Sequence, residues 1–142
     1  MNRYTFKVYP KGRGREAYRV FTFPGERTLD DLCTEIMYRF DFIHEHLYAF
    51  CMDNNPYSYN EDLHYEYQNE AGETETDIPV DKLKLVKGQK FTLHYDYGDD
   101  WMFIINTQKI DEVKEKEKPT LLKSKGLVVQ YPDYDEEWDE EE

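Results

Sequence analysis

Two separate stretches of this 142-residue chain alternate apolar and polar side chains with a period of two. Residues 3–9 place three apolar side chains on one face of an extended segment, Tyr4, Phe6 and Val8. Residues 91–97 repeat the pattern, with aromatic and aliphatic side chains at every second position. Successive side chains of a β-strand point to opposite faces, so this period predicts half-buried strands. The fold must therefore bury one face of a sheet.

Turn residues join these stretches to further strand-like segments. Residues 10–15, rich in Gly, Pro and basic residues, separate residues 3–9 from residues 17–23 and predict an N-terminal hairpin. Gly98-Asp99-Asp100 predicts a second hairpin over residues 91–107, whose inner face would pair Tyr97 with Trp101 and Tyr95 with Phe103. We also expect an interior strand over residues 46–52, a short strand around residues 63–67 and a last short strand within residues 126–132.

One helix is predicted between the hairpins. Thr28 is followed three positions later by Asp31, which approximates a capping box and marks the start of the helix. The apolar side chains that follow share one stripe at helical spacing, Leu29, Leu32, Cys33, Ile36 and Phe40. Cys33 and Cys51 have no metal-finger spacing, and we expect both to be reduced, buried thiols.

These elements predict an α+β fold in a single domain, residues 1–132, with a mixed and mostly antiparallel sheet, an N-terminal β-hairpin, one main helix and a second hairpin. Residues 133–142 contain eight carboxylates together with Tyr134 and Trp138. Mutual repulsion and the lack of apolar partners predict a disordered acidic tail. Its aromatic residues leave open a second interpretation, a docking segment for a basic partner.

The net charge of −13 is unevenly distributed. Residues 1–27 carry seven Arg and Lys against two Glu, whereas the other 115 residues carry eleven basic and 29 acidic side chains. An overall negative field repels phosphates and anionic lipid, so we expect neither membrane binding nor non-specific nucleic-acid binding. Lys11, Arg13 and Arg15 form a local basic exception and are candidates for an interaction site. No apolar run reaches the length of a membrane helix, and we expect a cytoplasmic protein.

A polar cluster is the sharpest candidate for chemistry: His46, His94, Asp96, Asp99 and Asp100, with Trp101 adjoining. His94 and Asp96 stand two apart on a predicted strand and would share a face, as a divalent-metal site or an acid–base pair requires. The structural alternative is that Asp99 and Asp100 are ordinary turn residues and that Asp96 locks the same turn. We favour this alternative.

Several blocks occur in an order that resembles the plasmid pRiA4b Orf-3-like family: Tyr4-Thr-Phe-Lys-Val8, Thr28-Leu-Asp-Asp-Leu32, His46-Leu-Tyr-Ala-Phe50, Lys82-Leu-Lys-Leu85, and Phe91 with Tyr95-Asp-Tyr-Gly-Asp-Asp-Trp101. The resemblance covers most of residues 3–107. It implies an α+β fold built on a mixed sheet and one main helix, and it implies no established reaction. Phe103 stands where many members have His. Residues 125–132 and the acidic tail stand where many members have a Cys-Pro-Pro-Glu-Asp and Gly-Gly segment.

The sequence is compatible with three functions. The first is a non-enzymatic protein-interaction module with an unidentified protein partner, whose association with mobile genetic elements is implied by the resemblance alone. The second is a metal-dependent or acid–base enzyme using the His/Asp cluster, and the third is a nucleic-acid-binding accessory of transposition. No phosphate-binding loop or nucleophile motif is present, so no cofactor is predicted; only the second function would use a divalent metal.

Overall fold

The computed structural model describes residues 1–58 and 60–132. It contains seven strands and one α-helix in the order β1 (Asn2–Pro10), β2 (Tyr18–Pro24), α1 (Leu29–Arg39), β3 (Tyr48–Cys51), β4 (His64–Glu66), β5 (Lys90–Tyr95), β6 (Trp101–Glu112) and β7 (Thr120–Lys125). Short 3-10 helices span Glu61–Leu63 and Val80–Leu83. The predicted acidic tail, with Tyr134 and Trp138, lies outside the described residues.

The seven strands form one sheet in the order β4-β3-β5-β6-β1-β2-β7. All six strand pairings are antiparallel, so the prediction of a mixed sheet is corrected to an antiparallel one. Both predicted hairpins are confirmed, β1 with β2 and β5 with β6. They meet through the pairing of β1 with β6, which places one strand of each hairpin in the middle of the sheet.

Helix α1 joins the inward-facing side chains of the strands in a single hydrophobic core. Its predicted capping box is confirmed, because Thr28 Oγ1 accepts a hydrogen bond from the Asp31 N–H while the Asp31 carboxylate accepts one from the Thr28 N–H. Cys33 and Cys51 are buried free thiols, as predicted. Among the described residues no helix is long and apolar enough to cross a membrane.

The register of the second hairpin differs from the predicted one by two residues. Tyr95 pairs with Trp101 and Leu93 with Phe103, instead of Tyr97 with Trp101 and Tyr95 with Phe103. The reason lies at Asp96, whose φ of 64° ends the alternation of the strand. The connection is therefore five residues long rather than three, and Tyr97 is exposed.

The last strand lies earlier in the sequence than predicted. β7 occupies Thr120–Lys125 and pairs with β2 at the edge of the sheet, whereas residues 126–132 form no strand. All six β7 residues are exposed, so the segment shows no alternation that could have revealed it. Residues 126–132 are instead held by side chains, since the Gln130 amide accepts a hydrogen bond from the Ile43 N–H at 2.7 Å and Val128 joins the core.

Candidate functional site

The predicted polar cluster separates into two pairs. His94 Nε2 lies 2.6 Å from an Asp100 carboxylate oxygen, and His46 Nε2 lies 3.5 Å from one of Asp96. The two pairs part because Asp96 follows the end of β5 in a left-handed conformation, so it does not continue the face of His94. Within residues 1–58 and 60–132, no three His, Cys, Asp or Glu side chains come together as metal ligands.

Asp96 closes the turn between β5 and β6. Its Oδ1 accepts hydrogen bonds from the N–H groups of Gly98 at 3.1 Å and Asp99 at 3.3 Å, and its carbonyl accepts one from the Asp100 N–H at 2.6 Å. The interpretation of Asp96 as a turn lock is thereby confirmed. Trp101, the residue after this turn, packs against the hydrophobic core, where its ring lies 4.8 Å from that of Phe42.

His94 has the more enclosed imidazole of the two pairs. Its side chain is 12% exposed, and the rings of Tyr57 and Tyr97 lie 6.1 and 5.0 Å from it. Asp100, 50% exposed, fixes the orientation of the ring from the solvent side. A carboxylate that orients an imidazole in this way is one element of an acid–base pair.

His46 ties the C-terminal segment to the loop before β3. Its Nε2 lies 2.6 Å from the Tyr131 hydroxyl, which donates a hydrogen bond to the Glu45 carboxylate at 3.0 Å. Partial desolvation and the neighbouring Glu45 carboxylate raise the pKa of Tyr131 to about 12. Tyr131 therefore stays protonated at neutral pH and remains a donor to Glu45.

A concave basic surface lies on the face of the sheet opposite the core. Lys7 of β1, Asn106 of β6 and Lys90 of β5 are register partners, so their side chains lie next to one another across three strands. The connection between β1 and β2 brings Arg13 and Arg15 to the same place. The result is a cleft of about 530 Å³, here called the basic cleft, whose lining includes the four cations Lys7, Arg13, Arg15 and Lys90 and one carboxylate, Glu16.

Aromatic rings form part of this surface. Lys7 Nζ lies 4.6 Å from the centre of the Tyr18 ring and 5.9 Å from that of the Tyr9 ring. Lys123 Nζ also lies 5.7 Å from the centre of the Tyr18 ring. Gly14 lets the connecting loop pack on Tyr9, because a Cβ at that position would lie 2.9 Å from the Tyr9 ring. The loop is thus held against the sheet and forms a wall of the cleft.

Most charges of the basic cleft lack a carboxylate partner. Arg13 lies 3.4 Å from Glu16, but in the described part of the chain Lys7, Arg15 and Lys90 have no carboxylate within 4.0 Å. Lys11 lines an adjoining cleft of about 390 Å³, together with Arg13, Asp99, Asp100 and Trp101 among others. The predicted interaction residues Lys11, Arg13 and Arg15 thus line two clefts that share Arg13.

Two of the four cations of the basic cleft, Lys7 and Lys90, were not predicted as interaction residues from the sequence. The alternation of residues 3–9 puts Lys7 on the polar face, which was a usable signal. Lys90 is far from the N-terminal hairpin in sequence and reaches the cleft only because β6 lies between β5 and β1. Arg19, by contrast, is used structurally, because its guanidinium donates to the carbonyls of residues 18, 39, 125 and 126.

Comparison with known proteins identifies the chain. A solved structure described as a protein of unknown function, MM3350 from Methanosarcina mazei Go1, has the same fold with a TM-score of 0.72 and 23% sequence identity, covering 90% of this chain and 71% of that one. No curated protein matches significantly. The family model for plasmid pRiA4b ORF-3-like protein matches residues 2–131. The chain therefore belongs to the plasmid pRiA4b ORF-3-like protein family.

Proposed function

We propose that this protein is a non-enzymatic interaction module and that its basic cleft binds an acidic segment of a partner protein. The observation that carries the proposal is the convergence of four cations, Lys7, Arg13, Arg15 and Lys90, in one concavity of a chain with a net charge of −13. Four cations against the single carboxylate of Glu16 leave the cleft locally positive, and an anionic ligand would relieve the mutual repulsion of these cations.

The shape of the surface favours a peptide. One wall is a loop packed on Tyr9, the floor is the sheet, and Tyr9 offers its ring to an aromatic or aliphatic side chain of a ligand. The cations occupy a short cleft, and the adjoining cleft carries Asp99 and Asp100. Carboxylates at that position repel a continuous phosphate backbone, whereas a peptide can match each charge with a separate side chain.

The expected affinity is modest. Ion pairs between exposed side chains contribute up to about 1 kcal/mol each. Four such pairs, with some aromatic contact, correspond to a dissociation constant of about 0.1 to 1 mM for a short acidic peptide. A natural partner would add contacts around the cleft. The interaction should weaken steeply with salt, because the Debye length falls from about 8 Å at 0.15 M to 3 Å at 1 M.

The test is a titration of a fluorescently labelled decaglutamate peptide into the full-length protein, followed by anisotropy. Lys7→Glu/Lys90→Glu should abolish binding. The matched control, Lys82→Glu/Lys116→Glu, makes the same charge change at two exposed lysines outside the cleft. Lys116 is next to Glu117 in the sequence, and Glu117 forms a salt bridge with Arg3. Arg3 lies near the start of β1, whereas Tyr9 of the cleft lies near its end. Equal loss of binding in both double variants would show that only net charge matters and would overturn the proposal.

Two further properties belong to this proposal. The family description refers to a plasmid, which supports a partner encoded with mobile genetic elements. The free thiols of Cys33 and Cys51 support a reducing compartment, the cytoplasm.

The His94–Asp100 contact at 2.6 Å favours a second candidate, an acid–base or metal-assisted reaction at the opposite end of the hairpin from Lys90. Elemental analysis of protein purified without chelator tests the metal version. Stoichiometric zinc, manganese or iron that is lost in His94→Ala, with the fold retained, would support it. Absence of metal, together with no shift of Tm on adding these ions, would leave the His94–Asp100 pair as a structural contact.

A further inference from the structure

The acidic tail and the basic cleft are complementary in charge and belong to the same chain. Residues 133–142 carry eight carboxylates with Tyr134 and Trp138 among them. The cleft presents four cations and the ring of Tyr9, and in the described part of the chain only Arg13 among these cations already has an acidic partner, Glu16. The tail thus has the composition that the proposed partner segment needs.

The end of the described chain lies within reach of the cleft. Tyr131 is fixed by His46, whose Nε2 lies 2.6 Å from the Tyr131 hydroxyl and 3.5 Å from an Asp96 carboxylate oxygen. Asp96 in turn accepts a hydrogen bond from the Asp99 N–H, and Asp99 lines the adjoining cleft together with Arg13, which also lines the basic cleft. Ten extended residues span about 33 Å, so residues 133–142 are long enough to follow this surface from Tyr131 to Arg13.

We propose that the acidic tail is an intramolecular ligand of the basic cleft and competes there with the acidic segment of a partner; this inference rests on the proposed function. A tether of this length gives an effective concentration of about 1 mM. Since a short acidic peptide is expected to bind with a dissociation constant of about 0.1 to 1 mM, the tail occupies the cleft for half of the time or more. Partner binding is then about two- to tenfold weaker than to an unoccupied cleft.

Carbodiimide cross-linking of the full-length protein tests the contact directly, because it joins a lysine amine to a carboxylate only where the two touch. Mass spectrometry should find residues 133–142 joined within one molecule to Lys7 and Lys90, and these products should disappear in 1 M NaCl. Lys82 and Lys116 serve as internal controls. Cross-links spread evenly over all four lysines, or found only on the control pair, would overturn the inference.

The competition is tested with the decaglutamate peptide on a full-length variant in which the eight tail carboxylates are replaced by Asn and Gln. This variant should bind the peptide about two- to tenfold more tightly than the unmodified protein. A control in which eight exposed carboxylates outside the tail and the cleft are replaced, among them Glu61, Asp62, Glu70 and Glu73, makes the same change in net charge and should not produce this gain. Equal gains in the two variants, or equal, measurable affinity of the tail-neutral variant and the unmodified protein, overturn the inference alone, whereas no binding to the tail-neutral variant overturns the proposed function as well.

Discussion

Thr92 and Thr107 lie on the two strands of the second hairpin and differ in the environment of their hydroxyl groups. Thr92 Oγ1 donates a hydrogen bond to the side-chain oxygen of Asn54. Thr107 Oγ1 is buried, and in the described part of the chain it has no partner. A buried hydroxyl without a partner loses its hydration and gains nothing in return.

Valine has nearly the shape of threonine, so the two sites give a matched pair of variants. Thr107→Val should leave the free energy of unfolding unchanged or raise it by up to about 1 kcal/mol, because it removes an unsatisfied group. Thr92→Val should lower it by about 1 to 2 kcal/mol, because Asn54 loses its donor. Urea denaturation of both variants measures the difference. A larger loss for Thr107→Val would mean that its hydroxyl has a partner after all.

Asp111 makes stability depend on pH at the end of β6. Hydrogen bonds and charge interaction with the Arg3 guanidinium, 2.9 Å away, hold the pKa of this carboxyl below its ordinary value of 3.8. The contribution of Asp111 to the free energy of unfolding is therefore fully present above the pKa that this carboxyl has in the unfolded chain. It is lost as the pH falls through the lower pKa that the carboxyl has in the folded protein. Between about pH 5 and pH 2, the unmodified protein should lose more stability than Asp111→Asn.

Urea unfolding at several pH values in this window measures that difference. Glu112→Gln is the control, since it removes the adjacent carboxylate, which has no cation within 4.0 Å among residues 1–58 and 60–132. If the free energy of unfolding fell equally with pH in the unmodified protein and in Asp111→Asn, the prediction would be contradicted.

At the scale of elements, sequence patterns predicted the strands and the helix end whose structure depends on residues close together in the sequence. The alternation of β1 and the capping box of α1 were recovered because one face of each element is buried and the cap is made by neighbouring residues. β7 was misplaced because all of its residues are exposed and its pairing with β2 joins residues about a hundred positions apart. No local signal marks such a strand.

The two-residue error in the hairpin register came from Asp96. Asparagine tolerates the left-handed conformation and keeps a side-chain acceptor for the Gly98 and Asp99 N–H groups. Asp96→Asn should therefore change the free energy of unfolding by less than about 0.5 kcal/mol, while Asp96→Ala should cost about 2 kcal/mol through strain and lost hydrogen bonds. Chemical denaturation distinguishes the two. A comparable loss in both variants would show that the negative charge of Asp96, through His46 3.5 Å away, matters more than the turn.

For the molecule as a whole, the candidate site depends on sheet topology more than on motifs. Arg13 and Arg15 were identified from local charge, but their partners in the cleft come from strands whose order a single sequence does not specify. The His/Asp cluster shows the converse, because residues close in sequence separated once the strand ended at Asp96. The spacing of residues in the sequence predicts which side chains share a face only within a continuous strand or helix.

Charge at this scale also limits what the cleft can bind. Lys7, Arg13, Arg15 and Lys90 can contact a few phosphates, yet 29 acidic side chains follow residue 27 and repel a polyanion wherever they lie within the screening length of about 8 Å. We therefore expect no binding to random duplex or single-stranded DNA at micromolar or tighter affinity in physiological salt. Anisotropy titrations measure this, with Arg13→Glu/Arg15→Glu as the control. Micromolar binding that this double variant abolishes would contradict the prediction and make nucleic acid the preferred ligand of the basic cleft.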